Sequence, residues 1–288
     1  MGVRIDWVAA ARSRRAPWSR GALRLTDAAA RACLAGGGHE ASDVDLLVNV
    51  GLYKEKNLAE PALASIIQED IGANPGHPPV AGHHGTFSFD VANGGCGVLT
   101  AAHLVDGFAR SGAMRLALVV AADADPSPAF RFGGVGAAML LETTDGDEGF
   151  DAFELRTFPE HARLFEASLV WEPRRGRHAI VVREDPAFAA RAVECAATVV
   201  HALLDRSRVS PSEIDLVIAS QQPASFPDAI ARALGVDAAR VPAGAGHTAG
   251  PLVALEAAMR SGRFAASRRV LFVTVGAGLA VVAALYRR

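Results

Sequence analysis

The chain repeats itself, and that repeat limits its architecture more than any other feature. Ser42-Asp43-Val44-Asp45-Leu46-Leu47-Val48 is echoed by Ser212-Glu213-Ile214-Asp215-Leu216-Val217-Ile218. Each copy precedes a helical stretch that stops at a glycine, Gly72 in one and Gly235 in the other. A glycine-rich turn and a second helical stretch follow, then a Ser-Gly stop at Ser111-Gly112 or Ser261-Gly262, then an apolar run, residues 116–120 or 270–274. The shared punctuation, in one order, predicts an α/β fold built from two duplicated halves, residues 1–178 and 179–288.

Between these markers, periodicity and punctuation predict the elements. Residues 3–10 read as a first strand and 22–34 as a helix stopped by Gly36-Gly37-Gly38. Residues 44–50 form a near-continuous apolar run, the pattern of a parallel strand covered on both faces. A helix over 63–70, strands over 86–91, 116–120 and 136–142, a short strand over 179–183 and a long helix over 186–206 complete the list. Residues 143–177 lack a regular pattern and read as loops that cover a site. Residues 271–285 are apolar but broken by Gly276 and Gly278, which predicts strand, turn and strand rather than a membrane span.

Composition narrows the function. Half of the 288 residues are hydrophobic and 21% are charged, enough to build a large core. A formal net charge of -2 leaves no basic excess for neutralising nucleic-acid phosphates. The Arg-rich run over residues 12–20 reads as a solvated loop, with a phosphopantetheine arm, a nucleotide phosphate or an acidic carrier protein as the ligands it would suit. Cys33, Cys96 and Cys195 have no metal-ligand spacing and leave one cysteine over in any disulfide scheme, so reduced thiols in a soluble cytoplasmic protein are expected. His83-His84 sit in a glycine-bounded loop with no third ligand nearby, and no metal is assigned to them.

Pseudo-twofold halves bring their glycine-rich turns together. The first turn, Asn93-Gly94-Gly95-Cys96-Gly97, opens a helix and offers Cys96. The second, Gly244-Ala245-Gly246-His247-Thr248, offers His247. The loop Ser220-Gln221-Gln222-Pro223 follows a buried strand, at the end where open α/β sheets bind ligands. A thiol at a helix N-terminus beside an imidazole is the pairing that nucleophilic acyl transfer needs.

These residues carry a resemblance to the thiolase superfamily, closest to its ketoacyl-ACP synthase III branch. Residues 43–50 resemble the branch's IDLLIVAT strand, 89–97 its FDVNAACSG nucleophile turn, and 132–138 its FGDGAAA segment. Gly246-His247-Thr248 with residues 256–262 resembles its GNTS…ALRSG element, and 275–279 its FGAGLTWGA ending. The resemblance spans nearly the whole chain. It implies a five-layered α-β-α-β-α fold, a dimer, and acyl-CoA or acyl-carrier thioesters as substrates, with no bound cofactor.

The resemblance also locates three departures. Family members use a Cys, a His and an Asn. Aligned without gaps, the Cys falls on Gly95, the histidine of the family's HQAN on Ser220, and the Asn on His247. Cys96 is one residue on, which at a helix start turns its side chain by roughly 100°. Decarboxylative condensation needs two strong donors on the developing enolate, and Ser220 offers one hydroxyl. The candidate catalytic residues are therefore Cys96 as nucleophile, His247 as base and Ser220 lining the pocket. Three readings stay open: a divergent acyltransferase or condensing enzyme, a degenerate subunit paired with an active synthase III-like homologue, and an acyl-thioester binder without chemistry.

Overall fold

A computed structural model describes residues 2–13, 21–54, 61–74, 85–125, 131–132, 134–173 and 176–288. The elements are β1 (Gly2–Arg12), α1 (Ala22–Gly37), β2 (Leu46–Asn49), α2 (Leu63–Ile71), β3 (Phe87–Asp90), α3 (Gly97–Arg110), β4 (Leu116–Ala122) and β5 (Val135–Thr144). They continue with β6 (Gly149–Thr157), β7 (Phe165–Glu172), β8 (Arg177–Glu184), α4 (Phe188–Ser207), β9 (Leu216–Ala219), α5 (Phe226–Ala233), α6 (Gly250–Arg260), α7 (Arg263–Ala266), β10 (Arg269–Gly276) and β11 (Ala280–Arg287).

Two sheets carry the duplication. The first has the order β1-β5-β4-β2-β3, the second β6-β11-β10-β9. In both, the inner pair (β2 with β4, β9 with β10) is parallel and the following strand (β5, β11) is antiparallel. Among the described residues the second sheet has no counterpart of β3. The chain there passes through Pro242, which has no N–H to give a ladder. The strand that matches β1 is β6, which precedes residue 178 in the chain and yet pairs with β11 in the second sheet.

The repeated sequence marks do the same physical work twice. Asp45 accepts the N–H groups of Arg115 and Leu116 at the start of β4, and Asp215 accepts those of Arg268 and Arg269 at the start of β10. Each aspartate thus ties the mouth of one strand to the next. Gly112 and Gly262 end α3 and α6 with φ of 72° and 75°, backbone that a side chain would strain.

Five layers result. α1 and α2 cover the outer face of the first sheet, around Ala30, Cys33, Leu47, Ile67 and Leu140. α4 and α5 cover the outer face of the second, around Val199, Leu203, Val217, Ile230 and Val273. α3 and α6 fill the space between, where Leu99, Val105, Leu252 and Leu255 pack with residues of both sheets. All three cysteines are buried and unpaired. Among the described residues no helix is long and apolar enough to cross a membrane.

One expectation needs correcting. Residues 143–177 are not mainly loops: they hold β6 and β7, and β7 pairs with β8 in a separate two-stranded ribbon. β8 is the short strand expected over 179–183, here spanning Arg177–Glu184. β7 is nearly bare, with Leu169 61% and Trp171 54% exposed, so no alternation marked it in the sequence. Of the Arg-rich run, Arg12 is described and lies 3.4 Å from Glu256; residues 14–20 and His83-His84 fall outside the described residues.

Candidate active site

The two glycine-rich turns and the end of β10 meet where α3 begins. Gly94, with φ of 47°, leads a short turn of 3₁₀ helix through Gly95 and Cys96 into α3. The turn is braced from within. Asn93 O accepts the Cys96 N–H, Thr100 Oγ1 donates to Cys96 O at 2.9 Å, and Asn93 Nδ2 donates to Thr100 Oγ1 at 2.9 Å.

At Gly95 the backbone of the second half fills the space a side chain would need. A Cβ there would stand 2.2 Å from the carbonyl oxygen of Val275. The other side of the same residue is held by Ser220, whose Oγ accepts the Val275 N–H at 3.0 Å. Ser220 is itself buried, so its hydroxyl serves this backbone contact. Gly95 and Ser220 therefore meet at one residue: Gly95 leaves room for the Val275 carbonyl, and Ser220 anchors the Val275 N–H.

Cys96 points away from His247. Its side chain is fully buried, and Sγ lies 3.4 Å from Ala280 O and 3.6 Å from Thr274 O, inside the β10–β11 hairpin. Burial pushes its thiol up to about 12, despite the opposing hydrogen bonds at Thr274 and Val282. A thiol so placed is neither ionised near neutral pH nor open to a substrate. The dyad of Cys96 and His247 expected from the sequence is not assembled, because one residue of helix register aims the thiol at the hairpin.

His247 instead pairs with Asp123. Its Nδ1 is 3.2 Å from Asp123 Oδ2. Its ring stacks on Phe132 at 4.8 Å and 21° and leans on Tyr53 at 5.6 Å. Asp123 is buried at the end of β4, where Oδ1 accepts the N–H groups of Leu52 and Tyr53 and Oδ2 accepts Thr248 N and Oγ1. Burial alone would raise its pKa; the charge and hydrogen bond of His247, with those of Thr248 and Tyr53, outweigh it and hold the carboxyl below its ordinary value. No sequence motif marked Asp123. The one available signal was its place as the first charged residue after the apolar run 116–122.

His247 faces a cavity of about 60 Å³, also lined by Tyr53, Gly94, Gln222 and Glu184. Larger grooves adjoin it. One, about 310 Å³, shares the Leu52 and Tyr53 wall and is lined by Ala92, Ala167, Leu169 and Ile180. The other, about 440 Å³, shares Phe132 and Gln222 and carries Arg131, Gln221 and Asp228. Gln221 itself is structural: Nε2 donates to Ala219 O, and Oε1 accepts the Gly244 N–H.

Comparison with known proteins agrees with this layout. Residues 204–288 match the C-terminal family of 3-oxoacyl-[acyl-carrier-protein] synthase III. The β-ketoacyl-[acyl-carrier-protein] synthase III of Novosphingobium aromaticivorans is 30% identical, over 91% of this chain and 83% of the relative. The fold superposes on the crystal structure of 3-oxoacyl-[acyl-carrier-protein] synthase III from Aquifex aeolicus with a TM-score of 0.81 at 19% identity, covering 100% of both chains. It superposes on Xanthomonas campestris OleA, crystallised with lauric acid and lauroyl-CoA, with a TM-score of 0.80 at 17% identity, covering 100% of this chain and 99% of OleA. With its duplicated sheets, its glycine-rich turn opening α3 and this similarity along nearly its whole length, the chain belongs to the β-ketoacyl-[acyl-carrier-protein] synthase III family of thiolase-like proteins.

Proposed function

We propose that this chain is a non-condensing member of the synthase III family, a subunit that works on or beside acyl-CoA or acyl-carrier thioesters and pairs with a second synthase III-fold chain. The observation that carries this reading is the fit of Val275 O against Gly95. The family's thiol position is absent and its space is taken by backbone, and Cys96, the neighbouring thiol, is sealed in the core. Without an acyl-cysteine there is no acyl group to condense. Ser220, spent on the Val275 N–H, also leaves the enolate of a decarboxylation without one of its two donors.

The pairing part rests on β3. It is the outer strand of its sheet, and Phe87 on it is 60% exposed beside Phe89 and Phe108. A strand edge that carries an exposed aromatic ring is suited to pairing with another chain.

Intact-protein mass spectrometry after incubation with acetyl-, octanoyl- and lauroyl-CoA tests the first part. The expected spectrum shows the unmodified chain alone. An acyl adduct that disappears in Cys96→Ala would overturn the reading and reinstate Cys96 as a nucleophile.

A further inference from the structure

The chain keeps an acid–base pair that a non-condensing subunit has no need of. His247 and Asp123 are joined through Nδ1, which leaves Nε2 as the free ring nitrogen. That nitrogen looks toward the helix-opening turn: a Cβ on Gly94 would lie 4.0 Å from it and 3.9 Å from Cε1. No hydrogen-bond partner occupies Nε2 among the described residues. The ring is clamped by Phe132 and Tyr53, so its direction is set before any ligand arrives. An imidazole oriented by a buried carboxylate, with its second nitrogen facing a cavity, is the arrangement of a general base.

The spaces around it match one class of substrate. The cavity of about 60 Å³ has room for on the order of two waters at ~30 Å³ each, or for one water and a carbonyl group. It is too small for an acyl chain. The grooves of about 310 and 440 Å³ on either side are in the range of small-molecule sites. The first is walled mainly by Leu52, Ala92, Ala167, Leu169 and Ile180, with Lys54 and Asp90 also on its lining, and the second sets the polar and charged groups of Arg131, Gln221, Gln222 and Asp228 in a wall otherwise made of glycine and apolar residues. A molecule that is apolar on one side of a carbonyl and polar on the other, an acyl thioester, would lie across the junction with that carbonyl at His247. Gln222 lines both the cavity and the polar groove, and its side-chain amide has no partner among the described residues. It is placed to donate to an oxyanion.

We propose that His247, oriented by Asp123, is the general base of a thioester hydrolysis in which water attacks the substrate directly. Nε2 takes a proton from water as the water oxygen bonds to the carbonyl carbon. The tetrahedral oxyanion then collapses, the C–S bond breaks, and the leaving thiolate receives the proton back from the imidazolium. The products are one carboxylic acid and one free thiol, and no other reactant is consumed. The step rests on the reading that no acyl-cysteine forms. Asp123 is a positioning residue, since it touches His247 and not the substrate. The titratable groups facing the site are His247, Asp123, Tyr53 and Glu184; burial raises the last.

The purified full chain is incubated with octanoyl-CoA in ¹⁸O-water, and free thiol and labelled octanoate are followed. Expected are thiol release, one ¹⁸O in the octanoate and no acyl-protein, with Cys96→Ala turning over like wild type. His247→Asn, which keeps an amide for Asp123, should lower kcat by about 100-fold or more, with its urea midpoint near that of the wild type. Asp123→Asn should move the acid limb of the pH profile. A superimposable profile would overturn the positioning role. No release above the uncatalysed rate, or equal turnover by His247→Asn, would overturn the hydrolysis while leaving the non-condensing reading intact. An acyl-Cys96 adduct would overturn that reading instead.

Discussion

Gly95 and Gly107 stand at opposite limits of what a missing side chain can mean. At Gly95 an added Cβ would meet Val275 O at 2.2 Å, a backbone atom that cannot rotate aside. At Gly107, exposed in the middle of α3, nothing lies within 4 Å. Gly95→Ala must therefore displace the β10–β11 turn, at a cost of about 1–3 kcal/mol for overpacking. Gly107→Ala should gain about 0.5–1 kcal/mol by lowering the entropy lost on helix formation. Urea denaturation of the two variants checks both signs. If Gly95→Ala is neutral, the Val275 carbonyl moves aside freely and does not exclude a side chain at position 95. The same clash means that a cysteine at position 95 would also meet Val275 O, and Ser220, bonded to the Val275 N–H, holds that residue in place.

At the scale of elements, Asp123 is the knot of the site. One carboxylate joins the end of β4 to the loop after β2, through Leu52 and Tyr53, and to the loop before α6, through Thr248 and His247. Its depressed pKa fixes the sign of its pH dependence. The stabilisation is present above the ordinary aspartate value of about 3.9, and it is lost as pH falls through the lower folded value. Asp123→Asn should cost about 3 kcal/mol or more at pH 7. That gap from wild type should narrow as denaturation is repeated at progressively more acidic pH. A gap that does not change with pH would mean that the carboxylate charge carries none of the stabilisation. This knot was not legible in the sequence, since a lone aspartate after an apolar strand has no local signature. Residues with a repeated local role were legible: Asp45 and Asp215 each cap the start of a neighbouring strand, so they recur in register. The turns bearing Gly95 and His247 were legible for the same reason, and the loop bearing Ser220 by its place at the end of a buried strand. The direction of Cys96 was not, because it depends on one residue of register against a hairpin nearly two hundred residues away in the chain. Of the β7–β8 ribbon, β8 was legible as the short strand over 179–183, but β7 was missed for a different cause: it is exposed along most of its length, and periodicity records only burial.

For the whole molecule, duplication leaves an asymmetry with a consequence. The first sheet ends in β3, and among the described residues the second has no counterpart of it, so the two halves present different edges. On the β3 side, Phe87 lies tilted against Phe89 and Phe108 with 60% of its surface in solvent. Unpaired strand edges with exposed aromatic groups promote association unless something covers them. If β3 is the pairing edge, the aromatic cluster is the hydrophobic centre of the contact, where single substitutions have their largest effect. Phe87→Glu places a charge at that centre and touches neither the buried core nor the residues around His247. The wild-type chain should run as a dimer in sedimentation velocity at micromolar concentration, alone or with a synthase III-fold partner. Phe87→Glu should shift it to monomer, with a dissociation constant raised by about 30-fold or more, corresponding to roughly 2 kcal/mol for a hot-spot residue. Its urea midpoint should stay near that of the wild-type monomer. A dimer that survives the substitution unchanged would move the interface away from β3, and the bare β7–β8 ribbon, with Leu169 and Trp171 exposed, would become the next face to test.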